Sequence, residues 1–273
     1  MNVNRHAIRL FSRLHFAAVA VISLAFLTVC CKAEEKPLRI LIFSGQNNHN
    51  WKLTTPELQK ILTQNSRFTV DVTEHPETCT AESLAHYDVL LSNWNTFGNK
   101  AAVKEWPPKM REAFLNFVRD GGGFVVVHAG GASFADWADY QKIIGGTWGK
   151  NTGHGPAHTF RVIAREPAHP IVRGVAPFET TDELWHRMVV QPDMTVIATA
   201  FSALDKRGTG KDEPVAMVTD YGKGHGFNLV LGHNPEAMRS VGFQQMLLRG
   251  VEWAGTGTVA DGINKITLPT TNP

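Results

Sequence analysis

Three short, almost continuously apolar runs constrain the fold more than any other feature of the sequence. They cover residues 38–45, 87–92 and 124–128. Strands with apolar residues on both faces are buried on both faces, which is typical of the parallel strands of an α/β protein. Segments with helical spacing separate these runs. The pattern therefore predicts an α/β fold with a mostly parallel central sheet.

Caps and prolines predict where helices begin. Thr54 or Thr55, followed by Pro56, gives an N-cap with proline in the first turn, and this predicts a helix that runs to about Asn65. A final helix is predicted over residues 237–253, where apolar side chains recur at helical spacing. We expect both helices to cover the sheet.

The first 33 residues form a separate segment. Three arginines precede an apolar run at residues 17–29, which is long enough for the core of a signal peptide. The run is shorter than the roughly 20 residues that cross a membrane. Ala33 is small enough to allow cleavage before Glu34. We therefore predict a signal peptide at residues 1–33 and an exported protein, periplasmic or extracellular.

The mature chain is predicted to be one domain over residues 34–273, with a core at about 38–254. Its ordinary apolar content and the lack of repeats or linkers favour a single domain. Two alternatives for the N-terminus stay open. One is a membrane anchor that is never cleaved, and the other is a lipoprotein, because residues 27–30 have an incomplete lipobox outline.

Charge and cysteine content exclude several classes of protein. Four of the 27 lysines and arginines lie in the predicted signal peptide, which leaves 23 against 25 acidic residues. A slightly negative chain has no electrostatic footprint for nucleic acid, so no nucleic-acid partner is expected. Cys79 is the one cysteine of the mature sequence, and alone it cannot form an internal disulfide or a thiolate metal cluster.

Three histidines follow three predicted strands. His49 lies shortly after the first strand, His128 ends the strand at 124–127, and His233 follows a strand predicted over 227–232. The carboxyl ends of parallel strands meet at one edge of a sheet, where ligands bind. A lone histidine is most often structural, but three at equivalent strand ends predict convergence at one site.

Two further stretches carry candidate metal ligands. His154 and His158 are four residues apart in a Gly-Pro loop, from which a zinc site can draw ligands. Asp182 and Glu183 stand beside Trp185, in a stretch that could equally be a polar turn. Carboxylates and imidazoles together suit a divalent cation such as zinc or manganese.

The glycine-rich segment 121–131 resembles the nucleophile elbow of class I glutamine amidotransferases, and residues 232–236 resemble their His-Pro-Glu stretch. In those enzymes the strand ends at a catalytic cysteine. Here His128 stands at that place, and an imidazole cannot form the thioester. The resemblance therefore implies the scaffold without glutaminase activity, and Cys79 is too distant in sequence to restore it.

The sequence resembles the ThuA-like family, named for trehalose utilisation, over about residues 38–254. The stretches that carry this resemblance are residues 49–51, 121–128, 169–174, 182–185 and 222–233. It implies a flavodoxin-like, class I glutamine amidotransferase-like fold, which is a three-layer sandwich with a mostly parallel central sheet. It also implies a role in sugar breakdown, often through 3-keto-sugar intermediates. Family members commonly have tyrosine where Trp185 stands.

The residues and the resemblance together predict a metal-assisted acid–base enzyme of isomerase, lyase or hydrolase type that acts on a glycoside or keto-sugar. A base removes a proton beside a ketone, and a Lewis acid stabilises the enediolate. The predicted catalytic residues are His128, Glu183 and His233. The predicted metal ligands are His49, His128, His154, His158, Glu183 and His233. The predicted sugar-binding residues are Gln46, Asn48, Trp51, Asp182 and Trp185.

A non-catalytic sugar-binding protein on the same scaffold is the alternative, since amide and aromatic residues suffice to bind a neutral sugar. It predicts no metal, whereas the enzyme hypothesis predicts a divalent ion and no nucleotide cofactor. In either case the expected partner is a small-molecule carbohydrate. A membrane is expected as a partner only through a lipid anchor, and assembly into homo-oligomers stays open.

Overall fold

The computed structural model describes residues 36–98 and 101–263. The predicted signal peptide, residues 1–33, lies outside the described residues, so its cleavage and the export of the chain stay predictions. Within the described residues, no helix combines the length and the apolar composition that crossing a membrane requires.

Nine of the strands in the described residues form one sheet, and four two-residue strands form two small ladders. The strands are β1 (Leu38–Phe43), β2 (Phe68–Thr73), β3 (Val89–Ser92), β4 (Gly123–Val127), β5 (Gly146–Thr147), β6 (Gly153–His154), β7 (His158–Ala164), β8 (Phe178–Asp182), β9 (Trp185–His186), β10 (Val189–Val190), β11 (Thr195–Ser202), β12 (Lys211–Tyr221) and β13 (Gly224–Leu229). Their order in the main sheet is β2-β1-β3-β4-β13-β12-β11-β7-β8.

The main sheet has a parallel half and an antiparallel half. Strands β2, β1, β3, β4 and β13 run parallel to one another, whereas β12, β11, β7 and β8 pair antiparallel with their neighbours. The predicted α/β fold is confirmed, and the predicted parallel character holds for the first half. Only Gly222 and Lys223 separate β12 from β13. So short a connection makes the pair antiparallel, because parallel strands need a crossover of about a dozen residues or more.

Helices cover both faces of the sheet. They are α1 (Trp51–Thr63), α2 (Ala81–Leu84), α3 (Pro108–Arg119), α4 (Ala138–Ile144), α5 (Pro235–Met238) and α6 (Val241–Thr256). Along β1, Ile40 and Ile42 belong to the core that includes residues of α1 and α6. Leu41 and Phe43 belong to the core that includes residues of α3 and α4. This alternation follows the two-residue period of a strand, so each face of the sheet buries its own apolar layer.

The first helix begins at Trp51, about one turn before the predicted cap at Thr54 or Thr55. Both threonine hydroxyls are bound elsewhere in the fold. The Asn93 amide donates to each of them at 2.9 Å, and Ser44 Oγ lies 2.7 Å from the hydroxyl of Thr55. The predicted start is therefore wrong, because tertiary hydrogen bonds hold the side chains that were expected to cap the helix.

The last helical segment is divided in two. α5 ends at Met238 and α6 begins at Val241, where the Ser240 hydroxyl accepts the N–H of Phe243 at 3.2 Å. A serine in this position caps the start of a new helix. The continuous helix predicted over 237–253 is therefore wrong.

Replacing Phe114 with alanine tests the apolar layer on the α3 side of the sheet. Phe114 is fully buried, and its ring lies 4.8 Å from that of Phe124 and 5.4 Å from that of Trp106. Loss of the ring should lower the free energy of unfolding by about 3–5 kcal/mol, measured by chemical denaturation. Phe201→Ala is the matched control, because Phe201 is 56% exposed and its loss should cost no more than about 0.5 kcal/mol. Equal effects of the two changes would contradict this difference in burial.

Candidate functional site

Three strands of the parallel half deliver three histidines to one edge of the sheet. His128 directly follows β4, and the loops after β1 and β13 carry His49 and His233. The strand predicted over 227–232 ends at Leu229, so His233 reaches this edge from a loop. The ring centroids of His49 and His233 are 4.5 Å apart, those of His49 and His128 are 5.1 Å apart, and those of His128 and His233 are 5.4 Å apart. The structure thus brings these three residues together.

Glu183 reaches the same place from the antiparallel half, in the turn between β8 and β9. Its Oε1 lies 3.5 Å from His233 Nε2 and 3.7 Å from His154 Nδ1. Its Oε2 lies 3.7 Å from His128 Nε2. One carboxylate therefore faces imidazoles from three separate segments of the chain.

His49, Glu183 and His233 form a set that could hold a metal ion. Each offers one ligand atom, and the three atoms all lie within 4.8 Å of one another. Two imidazoles and one carboxylate hold zinc in several catalytic sites that keep a further position open, and the same donors bind other transition metals. His128 and His154, which are also predicted ligands, border this set without belonging to it.

His128 is held in an unusual backbone conformation and is almost completely buried. Its φ is 43°, a value that residues other than glycine seldom adopt, and its side chain is 2% exposed. Nδ1 lies 2.7 Å from the carbonyl oxygen of Val230. A carbonyl only accepts, so Nδ1 carries the hydrogen and, in the neutral ring, Nε2 carries the lone pair. Nε2 is buried, has no hydrogen-bond partner among the described residues and faces Glu183.

Burial and charge shift the pKa values of His49, His233 and Glu183 within the cluster. Burial, followed by the influence of His128 and His233, lowers the pKa of His49 to about 4. Burial also lowers the pKa of His233, although Glu183 opposes this shift. Burial raises the pKa of Glu183, but the protonated forms of the surrounding imidazoles, His128 first, outweigh it and lower that pKa to about 2. Neutral imidazoles and an ionised carboxylate are the forms that bind a metal cation.

A cavity of about 150 Å³ opens beside Glu183. Three aromatic side chains, Phe97, Trp148 and Trp185, form part of its wall. Trp185 is buried, and its ring lies 4.9 Å from that of His128 and 4.9 Å from that of Trp148. The cavity therefore joins apolar aromatic faces to His49, His154 and Glu183, which also border it.

The two predicted loop histidines take different positions. His154 lies in the short strand β6, which pairs with β9, and its side chain is 35% exposed next to Glu183. His158 begins β7, where its Nδ1 donates to the carbonyl of Pro156 at 2.8 Å and its ring packs against Phe160. The structure brings His154, but not His158, to the carboxylate.

The side-chain amide of Gln46 makes three hydrogen bonds to the backbone of the loop that contains Asn95 and Val103. Its Nε2 donates to the carbonyls of Asn95 and Val103, and its Oε1 accepts the N–H of Val103, each at 2.8 Å. Asn48, in contrast, borders the cavity, and its Nδ2 lies 3.3 Å from Nε2 of His49. Of the two amides predicted to bind sugar, Asn48 is the one that faces this cavity.

Trp51 and Asp182 do not form part of the cavity wall. Trp51 opens α1 and borders a separate surface depression with Lys52, whose Nζ lies 5.5 Å from the centre of its ring. Asp182 is 1% exposed, and backbone N–H groups occupy its carboxylate oxygens. The role of both residues in sugar binding stays a prediction.

Phe97 and Trp148 are cavity residues that sequence reasoning missed. Phe97 lies in the loop after β3 and Trp148 directly follows β5, yet their rings are 5.6 Å apart. No motif or spacing marks them, because only tertiary packing brings these two segments together. The 39% exposure of Phe97, high for so large an apolar side chain, is a signal that the structure alone provides.

Replacing Gln46 with alanine should destabilise the loop that its three hydrogen bonds hold in place. The N–H of Val103 loses its partner, which should lower the free energy of unfolding by about 1–3 kcal/mol. Hydrogen exchange at the Val103 amide should become faster. Gln59→Ala is the control, since the Gln59 amide makes a longer hydrogen bond of 3.5 Å to the carbonyl of Val70. Unchanged exchange at Val103 would rule out this role of Gln46.

Comparisons with known proteins place the chain in a family. It matches the ThuA family, described as Trehalose utilisation, over residues 39–254. Among solved structures it is similar to a ThuA-like protein from Parabacteroides merdae, with 29% identity, a TM-score of 0.73, and coverage of 87% of this chain and 95% of that chain.

More distant structures share the fold. A ThuA-like protein from Bacteroides uniformis has 20% identity and a TM-score of 0.60, with 84% of this chain and 95% of that chain covered. A cytoplasmic protein from Salmonella typhimurium has 14% identity and a TM-score of 0.55, with 80% of this chain and 98% of that chain covered. A search of curated protein sequences gives no match. Because the family match spans most of its length, this chain belongs to the ThuA family, a trehalose utilisation family.

Proposed function

We propose that this protein is a metal-assisted acid–base enzyme that acts on a glycoside or keto-sugar. The observation that carries the proposal is the set His49, Glu183 and His233, whose ligand atoms lie within 4.8 Å of one another. Beside this set stands buried His128, whose Nε2 has no hydrogen-bond partner among the described residues. The family description, Trehalose utilisation, supports a carbohydrate substrate.

The donor set fits a divalent cation such as zinc or manganese. Two atoms that each bind one zinc ion at about 2.0–2.2 Å are no more than about 4.4 Å apart, so small side-chain rotations suffice to close the set around an ion.

We assign His128 as the base, since its buried Nε2 lies beside the cavity residue Trp185, whose ring is 4.9 Å from that of His128. A ketone makes the neighbouring C–H acidic. Nε2 of His128 accepts that proton, and the electron pair of the broken C–H bond forms the C=C bond of an enediolate. The cation, when bound, acts as a Lewis acid on the oxygen that gains negative charge. Isomerisation follows when the neighbouring hydroxyl passes its proton to the former ketone oxygen and His128 returns its proton to the former ketone carbon. Elimination follows when the bond between carbon and the glycosidic oxygen breaks and that oxygen takes the proton from His128.

The cavity suits a single sugar ring. The aromatic faces of Phe97, Trp148 and Trp185 match the apolar C–H surfaces of a pyranose, and Asn48 offers a hydrogen-bonding amide. At about 150 Å³ the cavity is smaller than the roughly 300–1,000 Å³ of typical ligand pockets. This size favours a small carbohydrate as the substrate.

We also infer a flavodoxin-like, amidotransferase-like core. The order β2-β1-β3-β4-β13 of the parallel half corresponds to the 2-1-3-4-5 order of flavodoxin-like sheets. The strained turn at His128 is consistent with a nucleophile elbow in which histidine replaces cysteine, so glutaminase chemistry is not expected. Export to the periplasm or the exterior rests on the N-terminal sequence pattern.

Metal content tests the first part of the proposal. Untagged protein that is stripped by chelation and reloaded with Zn²⁺ or Mn²⁺ should retain about one equivalent per chain, measured by elemental mass spectrometry. His49→Ala and His233→Ala should each weaken metal binding by about 10-fold or more. His75→Ala is the control, because the His75 side chain is 74% exposed and pairs with Glu77. A native protein that retains no metal would favour metal-free catalysis or the alternative, a non-catalytic sugar-binding protein.

Proton exchange tests the role of His128. A 3-keto-glucoside incubated with metal-loaded protein in D₂O should lose the proton NMR signal of the C–H next to its ketone. His128→Ala should slow this exchange by about 100-fold or more without loss of metal. His75→Ala should exchange at the native rate, because the His75 side chain is 74% exposed and pairs with Glu77. Loss of metal in the His128 variant would instead assign that residue as a ligand.

A further inference from the structure

Asp182 is a buried carboxylate whose oxygens are occupied by backbone groups. It ends β8 and is 1% exposed. Oδ2 accepts the N–H of Gly232 at 2.7 Å. Oδ1 accepts the N–H of Glu183 at 2.8 Å and that of His233 at 3.3 Å. Hydrogen bonds to an ionised carboxylate are among the stronger ones in proteins, so this is a firm anchor for three backbone positions.

The three donors belong to the two segments that carry Glu183 and His233. Strands β12, β11 and β7 lie between β13 and β8, so no ladder joins the strands that precede these segments. Four strand spacings correspond to about 19 Å along the sheet. The carboxylate of Asp182 is therefore a direct link between two ligand-bearing segments that the sheet itself does not connect.

We propose that Asp182 is a positioning residue of the metal site. Its carboxylate holds the backbones of Glu183 and His233 at the separation that one ion requires. This role rests on the proposed function, in which His49, Glu183 and His233 bind the cation. It replaces a direct contact with sugar, because the buried side chain is turned toward the backbone.

At position 182, both terminal atoms of the side chain must accept hydrogen bonds from backbone N–H groups. A carboxylate has two acceptor oxygens and no hydrogen, whereas asparagine would turn its NH₂ group toward the N–H of Gly232 or toward those of Glu183 and His233. At least one buried N–H would then face a donor. The chain has little room to adjust, because a Cβ at Gly232, where φ is 105°, would lie 2.8 Å from the ring of Phe243.

Asp182→Asn, with Co²⁺ as the probe, tests this role. We expect the variant to bind Co²⁺ about 10- to 100-fold more weakly than the native protein. The visible absorption bands of bound Co²⁺ should also change, because they depend on the arrangement of the ligands. Affinity, absorption spectrum and Tm are measured on the same untagged protein.

Glu252→Gln is the matched control. Glu252 on α6 is also 1% exposed, and it accepts hydrogen bonds from the N–H of Ala260 at 3.0 Å and from Nε of Arg67 at 3.1 Å. Arg67 directly precedes β2, so this carboxylate lies toward the opposite edge of the parallel half. The control should lower Tm and leave the affinity and spectrum of Co²⁺ unchanged.

Each result decides a different part of the proposal. Native affinity in Asp182→Asn overturns the positioning role and leaves the proposed metal site standing. Equal losses of affinity in both variants also overturn it, since general destabilisation would then explain them. A native protein that binds no Co²⁺ overturns the proposed function and this role with it. If Asp182→Asn does not fold, Asp182→Ala, in which a water can accept the N–H groups, is judged by the same criteria.

Discussion

Parallel hydrogen bonding joins β1, β3, β4 and β13, and the position of each histidine at the site follows from this ladder. Parallel strands all end at the same edge, so the loops that follow them start within a few strand spacings of about 4.8 Å. Because β4 lies between β3 and β13, His128 stands between the segments that carry His49 and His233. Two apolar layers hold the register, since a slip of one residue would exchange the faces of every side chain.

The turn after β4 combines strain with tight packing. His128 adopts a backbone conformation that costs about 1–3 kcal/mol outside glycine, and it persists only where the surroundings enforce it. The hydrogen bond to Val230 is one such restraint. Another is the close approach at Gly130, where a Cβ would lie 2.5 Å from the carbonyl oxygen of Ser92. The same packing that imposes the strain aims Nε2 of His128 at Glu183.

The antiparallel half of the sheet supplies the carboxylate of the site, Glu183, which the histidines surround. Burial works against the charged forms of both groups, and it lowers the pKa of His49 and of His233. For Glu183 the protonated forms of the surrounding imidazoles outweigh burial and lower the carboxyl pKa. Asp182 then ties Glu183 to the segment that carries His233, which links the two halves of the sheet at the point where the chemistry is proposed.

By itself, the sequence determined the α/β class, the parallel half and the meeting of the three histidines. These follow from local apolar runs and from the rule that parallel strands end at one edge. Tertiary structure decided the antiparallel half, the start of α1 and the choice of His154 over His158 beside the carboxylate. It also turned Trp51 away from the cavity and brought two loop aromatics into it. The physical reason is that loops and caps are placed by hydrogen bonds and packing between residues distant in sequence, and local periodicity carries no record of those contacts.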